Sequence, residues 1–237
     1  MRTVWDPMEL VVGIVLKRCG VERLHYMCHI ENAPTVLLLG ILSRSRALTM
    51  PHRDVSLSSV QRQRETTLAL SGRRLHEYAC LYFATHTPMQ YVLTCGTRGC
   101  PAIIHEEQLV FIDVDAVKTF QRKGVIFTDG NAASNETNFY TRIEDIIQLD
   151  WDIIRTQDCY TREYKRKKAA EVLVPDRVPA ELIKRVVVAS KEARRALRQS
   201  IKNLRSSFSE RSPDVDVSHL ARCRIFVEPS YYYHSYD

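Results

Sequence analysis

Apolar residues fall into short runs along the chain, each bounded by polar residues or by glycine and proline. Runs rich in β-branched and aromatic residues predict strands at 24–29, 109–114, 125–127, 171–174, 185–189 and 223–228, with a compact apolar-aromatic element at 81–83. Spacing and capping residues predict helices at 7–20, 33–39, 60–70, 88–93, 115–122, 139–149, 150–155 and 191–204, and a single helical turn at 180–184. Short strands interleaved with short helices, without regular βαβ spacing, favour an α+β fold over a doubly wound sheet.

Proline and glycine mark where several of these helices begin and end. Asp6-Pro7 and Thr87-Pro88 each place an N-cap residue before a proline at the first helical position, and Gly20 and Gly40 follow helices. Polar residues predict a loop at 43–59 and a hinge-like loop at 206–213. The first helix is expected to form an N-terminal extension at 1–22, packed on a single domain at 23–237.

The length and charge of the chain narrow the class of protein. A chain of 237 residues with 45% apolar and 26% charged residues is typical of an ordinary globular protein. The excess of 34 Lys and Arg over 28 Asp and Glu is concentrated at 162–211, where fifteen basic and six acidic residues give +9 and leave −3 for the remainder. This distribution predicts a surface for nucleic acid or another polyanion.

Cysteine usage and hydropathy indicate where the chain resides. None of the seven cysteines forms a CxxC pair, so reduced thiols in the cytoplasm are expected rather than disulfides or a structural zinc site. His25 and His29 flank Cys28, but on a strand Cys28 points away from both, and no metal site is expected. The longest apolar run, 10–16, is too short to span a bilayer, so no membrane association is expected.

The basic run KRKK at 165–168, directly before the apolar strand that begins with Glu171, is the most suggestive chemical feature. One interpretation is a solvated basic turn that leads into an edge strand. The other is a single carboxylate that stabilises a developing positive charge, with cations nearby that hold phosphates. P-loop, GxGxxG, GxSxG and HExxH motifs are absent from the sequence.

Several segments, in order, resemble the DarT family of DNA ADP-ribosyltransferase toxins. LHYMCHIEN at 24–32 resembles the family's [IL]-Y-H-x-T-H-I-[DE]-N, and residues 75–91 resemble its L-H-D-Y-V-P-F-Y-F-A-P-R-S-P-M-L-Y. VIFTDGNAA at 125–133 resembles V-F-T-D-G-N-A-A, while LDW at 149–151 and AEVLV at 170–174 resemble L-D-W and A-E-F-L-V. The resemblance covers about residues 22–233.

The resemblance implies an ADP-ribosyltransferase fold, in which two small mixed or antiparallel sheets form a central NAD cleft with peripheral helices. Glu171 takes the place of the catalytic glutamate, and Arg64 best fits the catalytic arginine. The segment from about 131 to 170 corresponds to the substrate-recognition loop. The implied NAD-binding residues are Tyr26, Cys28, His29, Asn32, Gly40, Tyr82 and Met89, and the implied DNA-binding residues are His76, His86, Asn131, Lys165, Lys167 and Lys168.

The sequence departs from the family pattern at several positions. Tyr26 replaces a histidine, Ala169 replaces a glutamine two residues before Glu171, and 85–87 replaces Pro-Arg-Ser. The aromatic pair after the Asp-Trp dipeptide is reduced to Cys159-Tyr160. A different acceptor or rate is therefore compatible with the sequence.

The function implied by the resemblance is transfer of ADP-ribose from NAD to a base in single-stranded DNA, with release of nicotinamide. Such an enzyme would be the toxin of a pair with an antitoxin that hydrolyses the ADP-ribosyl bond. Two alternatives stay open: a nucleic-acid-binding module of the same fold with weakened catalysis, and an enzyme that modifies RNA or protein. The sequence does not choose between thymine and guanine.

Overall fold

The computed structural model describes residues 7–96, 103–157, 161–212, 214 and 216–233. Its strands are β1 (Arg23–His29), β2 (Ile41–Leu42), β3 (Tyr78–Tyr82), β4 (Leu109–Asp115), β5 (Ile126–Thr128), β6 (Phe139–Tyr140), β7 (Glu171–Pro175), β8 (Arg177–Val178), β9 (Ile183–Val188) and β10 (Ile225–Val227). Eight of them form one sheet in the order β10-β9-β4-β1-β3-β7-β5-β6, while β2 and β8 pair separately. The α+β class is confirmed.

The sheet arrangement differs from the expected two small sheets. Pairing of β3 with both β1 and β7 joins the two halves into one eight-stranded sheet, with only the short β2–β8 pair apart from it. These pairings connect segments about 55 to 95 residues apart in sequence, and local patterns identify strands without specifying such distant partners.

Ten α-helices surround the sheet. They are α1 (Pro7–Arg18), α2 (Ala33–Leu39), α3 (Arg44–Ala47), α4 (Ser58–Thr66), α5 (Pro88–Thr94), α6 (Ala116–Phe120), α7 (Trp151–Arg155), α8 (Arg162–Lys168), α9 (Lys191–Arg211) and α10 (Ser218–Ala221) within the described ranges. The predicted cap at Thr87 is present, because its side chain accepts a hydrogen bond from the backbone N–H of Gln90. Asp6 lies outside the described residues.

Successive side chains along each strand point to opposite faces of the sheet, so one face packs on the main core and the other carries separate apolar residues. In β4, Val110, Ile112 and Val114 face the main core, which α1 reaches through Val12 and Leu16. Leu109 and Phe111 face the opposite side, where Tyr232 packs against them. This second face also carries Glu171, because its neighbour Val172 belongs to the main core.

Four local predictions were wrong. The predicted loop at 43–59 contains the short helix α3, and α4 begins within its last two residues. The stretch 206–211 continues α9, since Leu204 and Phe208 extend the apolar stripe of Leu197 and Ile201 onto the core. Residues 139–149 hold strand β6 and a 3₁₀ helix at Ile143–Gln148, because Phe139–Tyr140 pairs with β5. Residues 67–70 leave the predicted helix and form a bridge between Leu68 and Arg74.

The basic run also differs from the first of the two interpretations, a solvated turn that leads into an edge strand. Residues 165–168 form the last turn of helix α8, and β7 is an interior strand between β3 and β5 rather than an edge strand. Across the described ranges, no helix has the length and apolar character needed to cross a membrane.

Candidate active site

An ion pair between Arg64 of α4 and Glu171, the first residue of β7, lies at the centre of the candidate site. Arg64 Nη1 and Nη2 donate to the Glu171 carboxylate oxygens Oε1 and Oε2 at 3.0 and 2.9 Å. Glu171 is 1% exposed and Arg64 is 8% exposed. The bidentate geometry fixes the plane of the carboxylate, which a lysine at position 64 cannot reproduce.

Backbone contacts hold Glu171 from the other side. Its backbone N–H donates to the Thr128 hydroxyl at 3.1 Å, and that hydroxyl donates to the carbonyl of Gly130 at 2.7 Å. The backbone N–H of Ala132 donates to Glu171 Oε1 at 3.3 Å. The end of β5 and the turn that follows it therefore position the Glu171 carboxylate.

The surroundings of the pair keep its charges and nearby protons in place. Burial alone would lower the pKa of Arg64, but Cys80 and Glu171 beside it raise the pKa above its ordinary value, so the guanidinium stays charged. Burial raises the pKa of the Cys80 thiol to about 12 and also raises the pKa of Tyr82. Cys80 and Tyr82 are thus neutral groups beside the ion pair.

The ion pair lies where two lobes of one cleft meet. Six residues border both lobes: Ser56, Val60, Gln61, Arg64, Tyr82 and Met89. The first lobe extends along β1 and the 44–56 segment and includes Tyr26, Cys28, Asn32, Arg44, Arg53 and His76. The second lobe extends toward α8 and includes Asn131, Ser134, Arg162, Lys165, Arg166 and Glu171.

Five of the seven predicted NAD-binding residues border the first lobe: Tyr26, Cys28, Asn32, Tyr82 and Met89. Burial raises the pKa of the Cys28 thiol to about 12, so it presents a neutral group. The structure does not bring His29 or Gly40 to the cleft lining. His29 caps the following 3₁₀ helix by accepting from Glu31 N–H, and Gly40, at φ +86°, lies against the carbonyl of Val178.

The predicted DNA-binding residues are divided between different places. Asn131 and Lys165 border the second lobe, and His76 borders the first, where it pairs with Gln61 at 3.0 Å. His86 is buried against the backbone carbonyl of Tyr232. The structure does not bring it to either lobe.

The basic run is engaged mainly inside the protein. Lys167 bonds Asp150 and Glu163 at 2.9 and 3.0 Å, and Asp150 raises the pKa of Lys167. Lys168 is 1% exposed and donates to the carbonyl of Thr156. Of the cations at 165–168, Lys165 and Arg166 therefore border the second lobe, and the other two hold α8 in place.

Several cleft residues were missed from sequence. Arg44 and Arg53 border the first lobe, and Arg162 and Arg166 the second. Arg166 pairs with Asp129 at 3.1 Å and packs so closely on Gly130 that a Cβ there would lie 2.8 Å from its Nη1 atom. The TDGN turn provided a signal for this contact, but α8 was not predicted. Cys159 and Tyr160, which stand where the family has an aromatic pair, lie outside the described residues.

Comparison with known proteins identifies the family of the chain. Residues 25–233 match the family model described as "DarT: ssDNA thymidine ADP-ribosyltransferase". The chain belongs to the DarT family. The match begins after α1, so this helix lies outside the family region.

Curated relatives of the chain include DNA ADP-ribosyl transferases. A DNA ADP-ribosyl transferase–DNA ADP-ribosyl glycohydrolase fusion protein of Thermosipho africanus is 34% identical over 77% of this chain and 46% of its own length. The chain thus spans about half of that relative. A DNA ADP-ribosyl transferase of Thermus sp. is 26% identical over 70% of this chain and 81% of its own length.

Solved DarT structures share the fold. The structure of Thermus sp. 2.9 DarT in complex with ADP-ribosylated single-stranded DNA covers 90% of this chain and 97% of its own, with a TM-score of 0.74 at 22% identity. That of Thermosipho africanus DarTG in complex with ADP-ribose covers 89% of this chain and 51% of its own, with a TM-score of 0.72 at 27% identity. The DarT fold therefore extends over most of the chain.

Proposed function

We propose that this DarT protein transfers ADP-ribose from NAD to a thymidine base in single-stranded DNA and releases nicotinamide. The observation that carries the proposal is the buried Arg64–Glu171 pair at the junction of two lobes. A transferase needs its two substrates to meet at one reacting centre, and a cleft with two lobes provides a place for each. The family description names the acceptor.

The first lobe is the proposed NAD site. Tyr26, Tyr82 and Met89 offer apolar and aromatic surface to the rings of the dinucleotide, and Asn32 borders the same lobe. Arg44 contributes a cation suited to the pyrophosphate. Asn32 itself is held by two hydrogen bonds of 2.8 Å with the backbone of Arg53, which fixes this wall of the lobe.

The proposed role of Glu171 is to stabilise the positive charge that develops on the ribose. The bond between ribose C1′ and the nicotinamide nitrogen breaks, its electron pair leaves with neutral nicotinamide, and positive charge develops on the ribose. The carboxylate, which is almost completely buried, stabilises that charge. A base nitrogen then gives its electron pair to C1′ and its proton to Glu171, which releases the proton to water.

The second lobe is the proposed site for the DNA strand. Its apolar wall, formed by Leu57, Val60, Pro88 and Val92, suits a base, and Lys165 and Arg162 on α8 suit the phosphates. A base in single-stranded DNA is already unstacked, which avoids an extrusion cost of roughly a few kcal/mol. Single strands are therefore favoured over duplexes.

The proposed physiological role is that of a cytoplasmic toxin controlled by a cognate ADP-ribosyl hydrolase. The support comes from the Thermosipho africanus relative, in which a DNA ADP-ribosyl transferase is fused to a DNA ADP-ribosyl glycohydrolase. An enzyme that removes the same modification would reverse the toxic product. Coexpression with such a hydrolase should restore growth, whereas a hydrolase variant that has lost activity should not.

The test of the acceptor uses matched oligonucleotides. The protein and NAD are incubated with single strands that contain all four bases, with the same strands lacking thymidine, with the duplex and with the RNA of equal sequence. Modification of only the thymidine-containing single-stranded DNA supports the proposal. Modification of RNA in preference, or of strands without thymidine, would replace the proposed acceptor while leaving the transferase activity in place.

A further inference from the structure

A basic concavity with an exposed aromatic ring lies at one end of the large sheet, away from the cleft. Its lining includes Lys17 at the end of α1, Arg23 at the start of β1, Lys184 of β9 and Arg224 just before β10. Phe226 of β10 lines the same concavity and is 38% exposed. These five residues are called the Phe226 surface below.

The charge of the Phe226 surface is not cancelled by its neighbours. Lys184 bonds Asp115 at 2.8 Å, and Arg23 lies 3.7 Å from Glu22, which is 81% exposed. Lys17 and Arg224 have no carboxylate within ion-pair distance in the part of the chain that the structure describes. Four cations thus face two carboxylates, which leaves two positive charges for an anionic partner.

The ring of Phe226 packs against an arginine side chain that is itself fixed by an ion pair. The Arg185 guanidinium lies over it at 5.1 Å from the centroid, and Arg185 is fixed beneath by an ion pair of 2.7 Å with the buried Asp113. Because the guanidinium covers one face of the ring, the exposed part belongs to its other face and edge. A supported aromatic ring among cations is the arrangement that holds single-stranded nucleic acid, since the base stacks and the phosphates bind the cations.

The register of the sheet relates the Phe226 surface to the ion pair of the cleft. Arg185, Asp113, His25, Tyr82 and Glu171 follow one another as directly opposed residues across β9, β4, β1, β3 and β7. Arg224 precedes β10 at the same level, because its carbonyl accepts from the backbone N–H of Val186. Five strand spacings therefore separate Arg224 from Glu171, about 24 Å.

Phe226 and Glu171 also lie on the same face of the sheet. Phe226 is opposed to Val187, which is opposed to Phe111, which is opposed to Met27. Met27 shares its face with His25, two residues away on β1, and His25 connects through Tyr82 to Glu171. A nucleic-acid strand advances about 3.4 Å per stacked nucleotide, so about seven nucleotides connect the two places.

We propose that the Phe226 surface is a second binding site for single-stranded DNA, which holds the substrate strand about seven nucleotides from the base that reacts in the cleft. The proposal rests on the proposed function for the identity of the strand. Part of this surface is Lys17 of α1, a helix that lies outside the residues matched by the family model. Because the Phe226 surface lies about 24 Å from Glu171, it would strengthen binding of long strands without taking part in the reaction.

Binding without NAD tests the site independently of catalysis. Fluorescence anisotropy is measured with labelled single strands of twenty and of four nucleotides, and with the variants Phe226→Leu, Phe226→Trp and Lys17→Glu/Arg224→Glu. We expect Phe226→Leu and the double variant to weaken binding of the long strand about fivefold or more, and Phe226→Trp to retain it, because tryptophan still stacks. Binding of the short strand, which cannot reach from the cleft to the Phe226 surface, should change less than binding of the long strand.

Controls separate the site from a general effect of charge. Arg198→Glu reverses the charge of an exposed residue on α9, and an equal loss of binding in this variant would overturn the proposal. Equal displacement of the long strand by polyglutamate at matched charge would also overturn it, because the surface would then be a site for acidic protein. Should Phe226→Leu fail to fold, the double variant carries the test.

Kinetics distinguish failure of this site from failure of the proposed function. The double variant should raise KM about fivefold or more for the long strand and leave kcat, the KM for NAD and all constants for the short strand unchanged. An active enzyme whose constants for long strands do not respond would overturn the second site alone. Loss of binding in an enzyme inactive toward DNA would leave the second site supported and remove the proposed acceptor.

Discussion

Arg64 and Glu171, 107 residues apart in sequence, form a bidentate ion pair of 3.0 and 2.9 Å that is almost completely buried between the two lobes of the cleft. A buried charge pair contributes little to stability compared with apolar side chains of equal volume. Its presence here is explained by chemistry, because the pair keeps an ionic carboxylate at a fixed place in an environment of low polarity.

The planar geometry of the Arg64 guanidinium should affect kcat more than its positive charge does. Arg64→Lys retains a cation but loses one of the two parallel hydrogen bonds to Glu171, so we expect kcat for ADP-ribose transfer to fall about a hundredfold. Arg62→Lys, an equal change on the exposed side of the same helix, should leave kcat unchanged. Initial rates of nicotinamide release at saturating NAD and DNA measure both. Equal rates for the two variants would show that bidentate pairing is unimportant.

Thr128 should position Glu171 through its hydroxyl, which accepts from the Glu171 N–H and donates to the Gly130 carbonyl. Thr128→Val keeps the shape and removes both bonds, so we expect kcat to fall about ten- to a hundredfold with little change in the KM for NAD. Thr128→Ser restores the hydroxyl and should restore the rate. A serine variant as slow as the valine variant would rule out the hydroxyl as the cause.

Asp113 should make folding stability sensitive to acid. Burial alone would raise the pKa of this carboxyl, but hydrogen bonds from His25, Arg185 and Tyr231 lower it below its ordinary value. The stabilisation is therefore complete above about pH 4, the ordinary range for aspartate, and is lost as the pH falls through the lower pKa of the folded state.

Urea unfolding at several pH values checks this dependence. Asp113→Asn should lower the free energy of unfolding at pH 7 and should show a shallower decline below about pH 4 than the unmodified protein. Asp152→Asn, at an exposed position, should reproduce the unmodified curve. A curve for Asp113→Asn parallel to that of the unmodified protein would mean that other carboxyl groups cause the acid sensitivity.

Gly40 should contribute to folding stability through its backbone conformation and should not contribute to NAD binding. Its φ of +86° lies in the left-handed region, and a Cβ there would overlap the carbonyl oxygen of Val178. We expect Gly40→Ala to lower the free energy of unfolding by about 2–4 kcal/mol. Gly72→Ala, at φ +77° with open space around it, should cost only about 1–2 kcal/mol.

The NAD titration of the folded Gly40→Ala variant completes this test. Because Gly40 lies outside the cleft lining, the KM for NAD should be unchanged at a temperature where the variant is folded. A KM raised tenfold in the folded variant would place Gly40 in the NAD site, as the resemblance implies.

The local elements of the fold could be predicted from the sequence better than their arrangement. The cap at Thr87 and strands such as Leu109–Asp115 follow from side-chain pattern, which acts over a few residues. Arg64 and Glu171 were found by resemblance, and no local rule would bring them together. The joined sheet could not be predicted, because pairing of β3 with β1 and β7 depends on contacts between distant segments.

The basic run shows the same limit at the site. Four consecutive cations at 165–168 predicted a DNA-binding surface, and charge alone does not reveal what lies beside it. Lys167 is neutralised by Asp150 and Glu163, and Lys168 is buried. Only the helical arrangement of α8 shows that Lys165 and Arg166 are the members that reach the second lobe.

Glu171 is the proposed catalytic residue for transfer of ADP-ribose from NAD to single-stranded DNA. The most direct test of this claim is the intact mass of a thymidine-containing oligonucleotide after incubation with NAD and either the unmodified protein or Glu171→Gln, which keeps the shape of the side chain and removes its charge. We predict a mass gain of one ADP-ribosyl group with the unmodified protein and none with the variant. Equal modification by both proteins, or no adduct with either, would contradict the claim.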